Sequence, residues 1–300
     1  MIAVTILGNN SALPAHNRHP TAQIVQTEEH TFLIDCGEGT QMQMDAYKIR
    51  RGKINHIFIS HLHGDHYFGL IGLLTSLGLN NRINDLHIYS PQNLQAIINI
   101  QLDAAVGRLS YALNFHVLQN EQVIFEDKKI VVECFKVNHR IECWGFKFRE
   151  KKNLRKIDIK QAKKYKIPTS FYEQLHAGED YINPQNVVIK NEWVTMPHSP
   201  AKSYAYCADT AYHEPVCDKI KNADLVYHET TYLDDLQKKA EGRFHSTSKQ
   251  AAMIAKKSGA KRLIIGHFSS MYDTLEKFRD EACEVFENTE LALEGVCYLV

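Results

Sequence analysis

Between positions 61 and 66 the chain places His61, His63, Asp65 and His66. Imidazole nitrogen and carboxylate oxygen are the donors that suit zinc and similar divalent ions. His61 and His63 sit two apart, so on an extended chain they point to the same side. Asp65 and His66 come after Gly64, which breaks the strand. Two donors before a turn and two after it imply two metal ions rather than one. The elements that must carry them are legible on either side. Ile54 to Ile59 is β-branched and aromatic, as a buried strand is. The apolar run from about Phe68 to Leu79 reads as a helix that Asp65 is placed to open.

These donors need a large scaffold, and 300 residues, 44% of them hydrophobic, suffice for one sizeable α/β core. Thirty-five basic and thirty-five acidic residues cancel, so net charge alone predicts no polyanionic partner. No basic flank precedes a long apolar run at the N-terminus, so no signal peptide is expected. No run approaches the roughly 18 apolar residues of a membrane helix, and no membrane partner is expected. Seven cysteines, an odd number without a C-x-x-C pair, favour free thiols and a reducing cytoplasm.

In chain order, strands and helices alternate without an internal repeat. Strands at 2–7, 22–26 and 31–35 lead into Cys36-Gly-Glu-Gly-Thr40 and a helix at 41–49, with Asp35 at a strand end. After the metal stretch come a strand at 87–90, a helix from Asn93 to about Val106, and strands at 115–118, 123–125, 130–137 and 143–149. A second series has strands at 204–207, 225–228 and 263–266, helices at 249–258 and 274–287, and a closing strand at 296–300. The pattern implies two β-sheets packed face to face with helices outside. Between the series, Lys151, Lys152, Arg155, Lys156, Lys160, Lys163, Lys164 and Lys166 are opposed only by Asp158. A neutral protein that concentrates charge in this way has a local field its total hides. Residues 151–191 read as an insertion, either a solvated face or a phosphate-contacting arm for nucleic acid.

A two-metal cleft needs about seven protein ligands, so more must come from other strand ends. His139, Asp209 and His267 each follow an apolar strand, the place where an α/β fold puts site residues. His16, His56, His87, His116 and His228 lack such a setting and read as structural.

The His-x-His-x-Asp-His order resembles the metallo-β-lactamase superfamily of binuclear hydrolases. Along most of its length the chain resembles ribonuclease Z in its short form, the tRNA 3′-processing endonuclease family. The matching stretches are Asp35-Cys-Gly-Glu-Gly-Thr-Gln41, Ser60-His-Leu-His-Gly-Asp-His66, Asn138-His139-Arg140, Ala208-Asp-Thr210, His228-Glu-Thr-Thr-Tyr232, His245-Ser-Thr247 and His267-Phe-Ser-Ser270. Three features depart from the family. The arm reads Lys166-Ile-Pro-Thr-Ser-Phe171 without a glycine-proline turn, the loop Leu13 to Pro20 lacks the usual basic spacing, and Met271 stands where an Arg often follows.

The resemblance implies an αβ/βα metallo-β-lactamase sandwich spanning residues 1–300, with the basic insertion as the tRNA-binding arm. It implies that His61, His63 and His139 hold one metal, that Asp65, His66 and His267 hold the other, and that Asp209 bridges them. The ions would be two Zn2+ per subunit, or Mn2+ or another divalent ion. Asp65 is the candidate proton acceptor and His245, oriented by Glu229, the candidate proton donor to the departing 3′-oxygen. The substrate implied is precursor tRNA, cut to a 3′-OH on the tRNA and a 5′-phosphate on the trailer, and the assembly a homodimer. The rivals are another binuclear phosphodiesterase or small-ester hydrolase of the superfamily, a flavin-linked di-iron oxidoreductase, and a non-catalytic RNA-binding relative.

Overall fold

The computed structural model describes residues 1–105, 107–151, 154–197 and 200–300. Position 106, the expected end of the helix that starts at Asn93, and Lys152 of the basic segment lie outside the described residues. The first strands are β1 (Ala3–Gly8), β2 (Ala22–Gln26), β3 (Thr31–Ile34), β4 (Ile54–Phe58), β5 (Leu86–Ser90) and β6 (Leu113–Val117). Then come β7 (Gln122–Glu126), β8 (Ile130–Lys136), β9 (Trp144–Glu150), and the two-residue strands β10 (Lys156–Ile157), β11 (Tyr181–Ile182), β12 (Val188–Ile189) and β13 (Thr195–Met196). The chain ends with β14 (Ser203–Cys207), β15 (Leu225–Glu229), β16 (Leu263–Gly266), β17 (Thr289–Leu291) and β18 (Cys297–Leu299).

Two seven-stranded sheets form, ordered β18-β1-β2-β3-β4-β5-β6 and β17-β16-β15-β14-β9-β8-β7. The period of two along each strand decides their packing. In β3 and β4, Phe32 and Phe58 point to the second sheet, their rings 5.4 Å and 5.3 Å from Phe148 and Phe146. Their neighbours Leu33 and Ile57 turn the other way, against Leu70, Leu73, Leu74 and Leu77 of the helix Leu70–Leu79. The second sheet repeats the pattern. Tyr204 and Tyr206 of β14 face inward, where their hydroxyls donate to Gln23 and Asp35. Ala205 and Cys207 face the helices Ser248–Ser258 and Glu276–Cys283. The strands β3-β4-β5-β6 and β14-β15-β16-β17 run parallel, which aligns their carboxyl ends. These are the two packed sheets with outer helices of the metallo-β-lactamase sandwich.

Local breaks depart from the expected runs. The helix expected from about 68 is split: a short helix, Gly64–Tyr67, carries Asp65 and His66, and a second begins at Leu70. Gly69 separates them because a side chain there has no room. A Cβ would lie 2.1 Å from the Gly37 carbonyl oxygen, and its N–H donates to Cys36 O at 2.9 Å. The close approach locks the Asp35 turn to the metal stretch. Arg18 is buried, donating to Asn10 Oδ1 and to the carbonyls of Tyr272 and Asp273, so it holds its loop rather than facing a ligand.

A second compact unit comprises residues 127–130 and 150–201, so the insertion expected at 151–191 lies inside it and β13 lies beyond that span. Its core is Ile167, Leu175, Ile189 and Val194 with Tyr165, Phe171, Tyr172 and Tyr181. Asp158, the lone acid of the basic run, caps the helix Ile159–Lys164 by accepting from the Lys160 and Gln161 amides. Lys156, Lys160, Lys163, Lys164 and Lys166 are exposed and have no ion-pair partner among the described residues. Arg155 is partly spent on structure, its Nε donating to Thr195 Oγ1 at 2.7 Å.

Candidate metal centre

Seven side chains arrive together from strand ends of both sheets. β4 leads into His61 and His63, the short helix supplies Asp65 and His66, and β8 leads to His139. β14 leads to Asp209 and β16 to His267, which adopts a left-handed backbone at φ 61°. His63 Nδ1 lies 3.0 Å from His61 Nε2 and 3.2 Å from His139 Nε2. His267 Nε2 lies 3.3 Å from Asp65 Oδ2, and His66 Nε2 lies 3.6 Å from the same oxygen. Asp209 divides between the two groups. Its Oδ2 is 3.6 Å from His61 Nε2 and 4.0 Å from His139 Nε2, while its Oδ1 is 3.2 Å from His267 Nε2 and 3.4 Å from His66 Nε2.

The outer ring nitrogens are fixed by partners, which frees the inner ones to ligate. His66 Nδ1 is 2.8 Å from Asp35 Oδ2, and His61 Nδ1 is 3.0 Å from Ser60 Oγ, which itself donates to Asp35. His139 Nδ1 donates to the Phe244 carbonyl at 2.9 Å. Thr231 Oγ1 donates to Glu229 Oε2 and lies 3.0 Å from His267 Nδ1. His63 is the exception, with Nδ1 inward and Nε2 3.3 Å from Arg140 Nη2.

The donor set fits divalent cations on two further observations. His66 Nε2 and Asp209 Oδ1 are buried without a hydrogen-bond partner, a costly state that a cation between them relieves. The electrostatics agree. Burial lowers the His66 pKa, but Asp209, Asp65 and Asp35 outweigh it and raise it well above the ordinary value, marking a field that a dication would also satisfy. His61 is held neutral, and so ready to ligate, chiefly by burial and then by His66. Burial pushes the Asp209 carboxyl up, yet His267, His66 and His61 keep it ionised.

His245 and Glu229 join the same cleft. His245 Nδ1 lies 2.9 Å from Glu229 Oε1, and its ring stacks 5.5 Å from that of His267. Glu229 is fully buried and accepts further from the amides of Thr210, Ser246 and Thr231. Asp65 Oδ2 takes the Ala12 N–H at 2.7 Å, and no hydrogen bond reaches Oδ1 among the described residues. Burial raises the Asp65 pKa, but His66 and His267 outweigh it and hold the carboxylate ionised.

A family model described as anti-Pycsar protein Apyc1 matches residues 2–175. The metallo-β-lactamase fold protein YhfI of Bacillus subtilis superimposes over 100% of both chains with a TM-score of 0.71, at 19% identity. The human short-form tRNase Z aligns over 99% of this chain and 98% of its own, with a TM-score of 0.71 and 26% identity. A ribonuclease Z of Bacteroides thetaiotaomicron is 40% identical over 297 residues, covering 98% of this chain and 94% of the relative. The chain belongs to the ribonuclease Z family.

The Apyc1 match covers His61, His63, Asp65, His66 and His139 but stops before Asp209 and His267, so it describes the first part of the centre. The ribonuclease Z relatives span both parts. The sequence singled out seven candidate ligands and the His245–Glu229 pair, and the structure brings these side chains together. Sequence reasoning missed Ser60, Thr231 and the Phe244 carbonyl as the groups that orient them. Thr231 lies two positions after Glu229, the last residue of β15. His228 is a buried structural histidine, its Nδ1 2.7 Å from the Glu229 carbonyl oxygen.

Proposed function

We propose that this chain is a zinc-dependent endoribonuclease that removes 3′ trailers from tRNA precursors, leaving a 3′-OH on the tRNA and a 5′-phosphate on the trailer. The observation that carries this is the division of Asp209 between two imidazole groups, in a chain aligned end to end with ribonuclease Z relatives. His61, His63 and His139 would hold one ion, Asp65, His66 and His267 the other, and Asp209 both. Two bound divalent ions supply positive charge that acidifies water and neutralises the phosphate. Asp65 Oδ1 takes the proton of the attacking water. His245 Nε2 gives a proton to the departing 3′-oxygen as the phosphorus–oxygen bond breaks. Glu229 Oε1 fixes the His245 tautomer and orientation from the far side of the ring. Unit 127–130 with 150–201 would dock the tRNA through its exposed lysines, within a cytoplasmic homodimer.

The direct test is incubation of zinc-loaded protein with a 3′-extended precursor tRNA, with the cut mapped to the nucleotide. A single cut after the discriminator nucleotide is expected, and an inert precursor alongside hydrolysis of small esters would sink the assignment.

The acid can be tested by pH. Burial pulls the His245 pKa down, but Glu229 prevails and raises it to about 9. The proton is therefore present at neutral pH and lost as pH rises through the folded value. Glu229→Gln removes the supporting charge, so the alkaline limb of kcat should move to lower pH while kcat falls roughly a hundredfold. A limb that stays in place in the variant would remove His245 from the role.

A further inference from the structure

Eleven non-glycine residues among those described have a left-handed backbone, and four of them, Ala12, Asp35, Phe244 and His267, border the metal centre. Three have a visible reason. The Ala12 amide serves Asp65, Asp35 holds His66 and Ser60, and His267 presents its ring to the centre. Phe244, at φ 59°, is different. Its carbonyl accepts from His139 Nδ1 and its amide donates to Glu241 O at 3.1 Å, both main-chain tasks. A glycine would perform them without the steric penalty a bulky side chain meets in this conformation. The turn closes the helix Gln237–Gly242, where the His245 amide also donates to Ala240 O at 2.9 Å, so the main chain accounts for the conformation and does not call for a phenyl group. The side chain is what remains to be explained. Phe244 is 36% exposed, and its ring enters no aromatic pair among the described residues.

We propose that the Phe244 ring is a stacking platform for the base of the discriminator nucleotide, the one that carries the departing 3′-oxygen; this rests on the proposed tRNA-processing function. Successive Cα atoms are about 3.8 Å apart, so the ring is anchored next to His245, the proton donor to that oxygen. Its carbonyl touches the ligand His139 on the other side. On this assignment, a nucleoside whose 3′-oxygen meets His245 lays its base on the neighbouring ring of Phe244. Stacking on a phenyl ring accepts all four bases, since each has a π-face, and so suits an enzyme acting on tRNAs with different discriminators.

The test compares zinc-loaded parent, Phe244→Ala and Phe244→Trp proteins on three precursors: intact, abasic at the discriminator, and abasic at the first trailer nucleotide. Zinc content is measured for each protein, so that a disturbed His139 is seen directly. On the intact precursor and on the trailer-abasic one, Phe244→Ala should lose roughly tenfold in kcat/KM and Phe244→Trp little. On the discriminator-abasic precursor the parent should already show that loss, and Phe244→Ala should add nothing to it. Equal losses on all three precursors, or coupling to the trailer nucleotide instead, overturn the proposal while leaving the function standing. A parent that leaves every precursor uncut overturns the function and this inference together.

Discussion

Asp65→Ala is expected to reduce precursor cleavage roughly a thousandfold while leaving tRNA affinity close to the parent's. The side chain has two tasks that binding does not share. Its Oδ2 faces His267 and His66 as part of one metal-holding group, and its Oδ1 is the proton acceptor we assign. The docking of tRNA is assigned elsewhere, to the basic unit, so filter binding should register little change. Single-turnover cleavage and zinc content give the other two readouts. Asp65→Asn separates them, because it keeps a ligating oxygen while removing the base. Turnover retained in either variant would take the proton from Asp65 and hand it to another group.

The second large effect is expected from the basic unit. Changing Lys156, Lys160, Lys163, Lys164 and Lys166 to Ala removes exposed charges that have no ion-pair partner among the described residues. If these contact phosphates, precursor kcat/KM should fall at least roughly a hundredfold near physiological salt, and the salt dependence of binding should flatten by about 0.7 to 0.9 per lost contact. Hydrolysis of a small chromogenic phosphodiester should be unchanged, since the metal centre keeps every ligand. Precursor cleavage that survives would make this segment a solvated face. Charge removal is a cleaner test than deletion of 151–191, because β10 pairs with β13, whose residues lie beyond that cut.

The two-sheet architecture was legible because the strands read as apolar runs and the helices as periodic ones. The candidate ligands were legible for two reasons. Four of them crowd into six positions, and His139, Asp209 and His267 each end a hydrophobic strand. What orients them was not, because those partnerships cross the fold: Thr231 meets His267 thirty-six positions away, and the Phe244 carbonyl meets His139 across 105. No periodicity encodes such meetings. The break before Leu70 was missed because its cause is a carbonyl of Gly37, a backbone atom from a distant turn. β17 was missed because Thr289–Leu291 is too short to show a pattern. Arg155 counted as a phosphate contact by charge, yet its guanidinium also serves Thr195, which charge alone does not reveal.

The candidate ligands also come from opposite slabs of the sandwich: His61, His63, Asp65 and His66 follow β4 of one sheet, and His139, Asp209 and His267 follow strands of the other. Ions seated there would act as rivets as well as reagents, for their binding energy would be drawn on only when the two slabs are docked in register. On that assignment, supply of metal and persistence of the fold become one equilibrium. A cell starved of the ion would then hold a looser protein as well as an idle one.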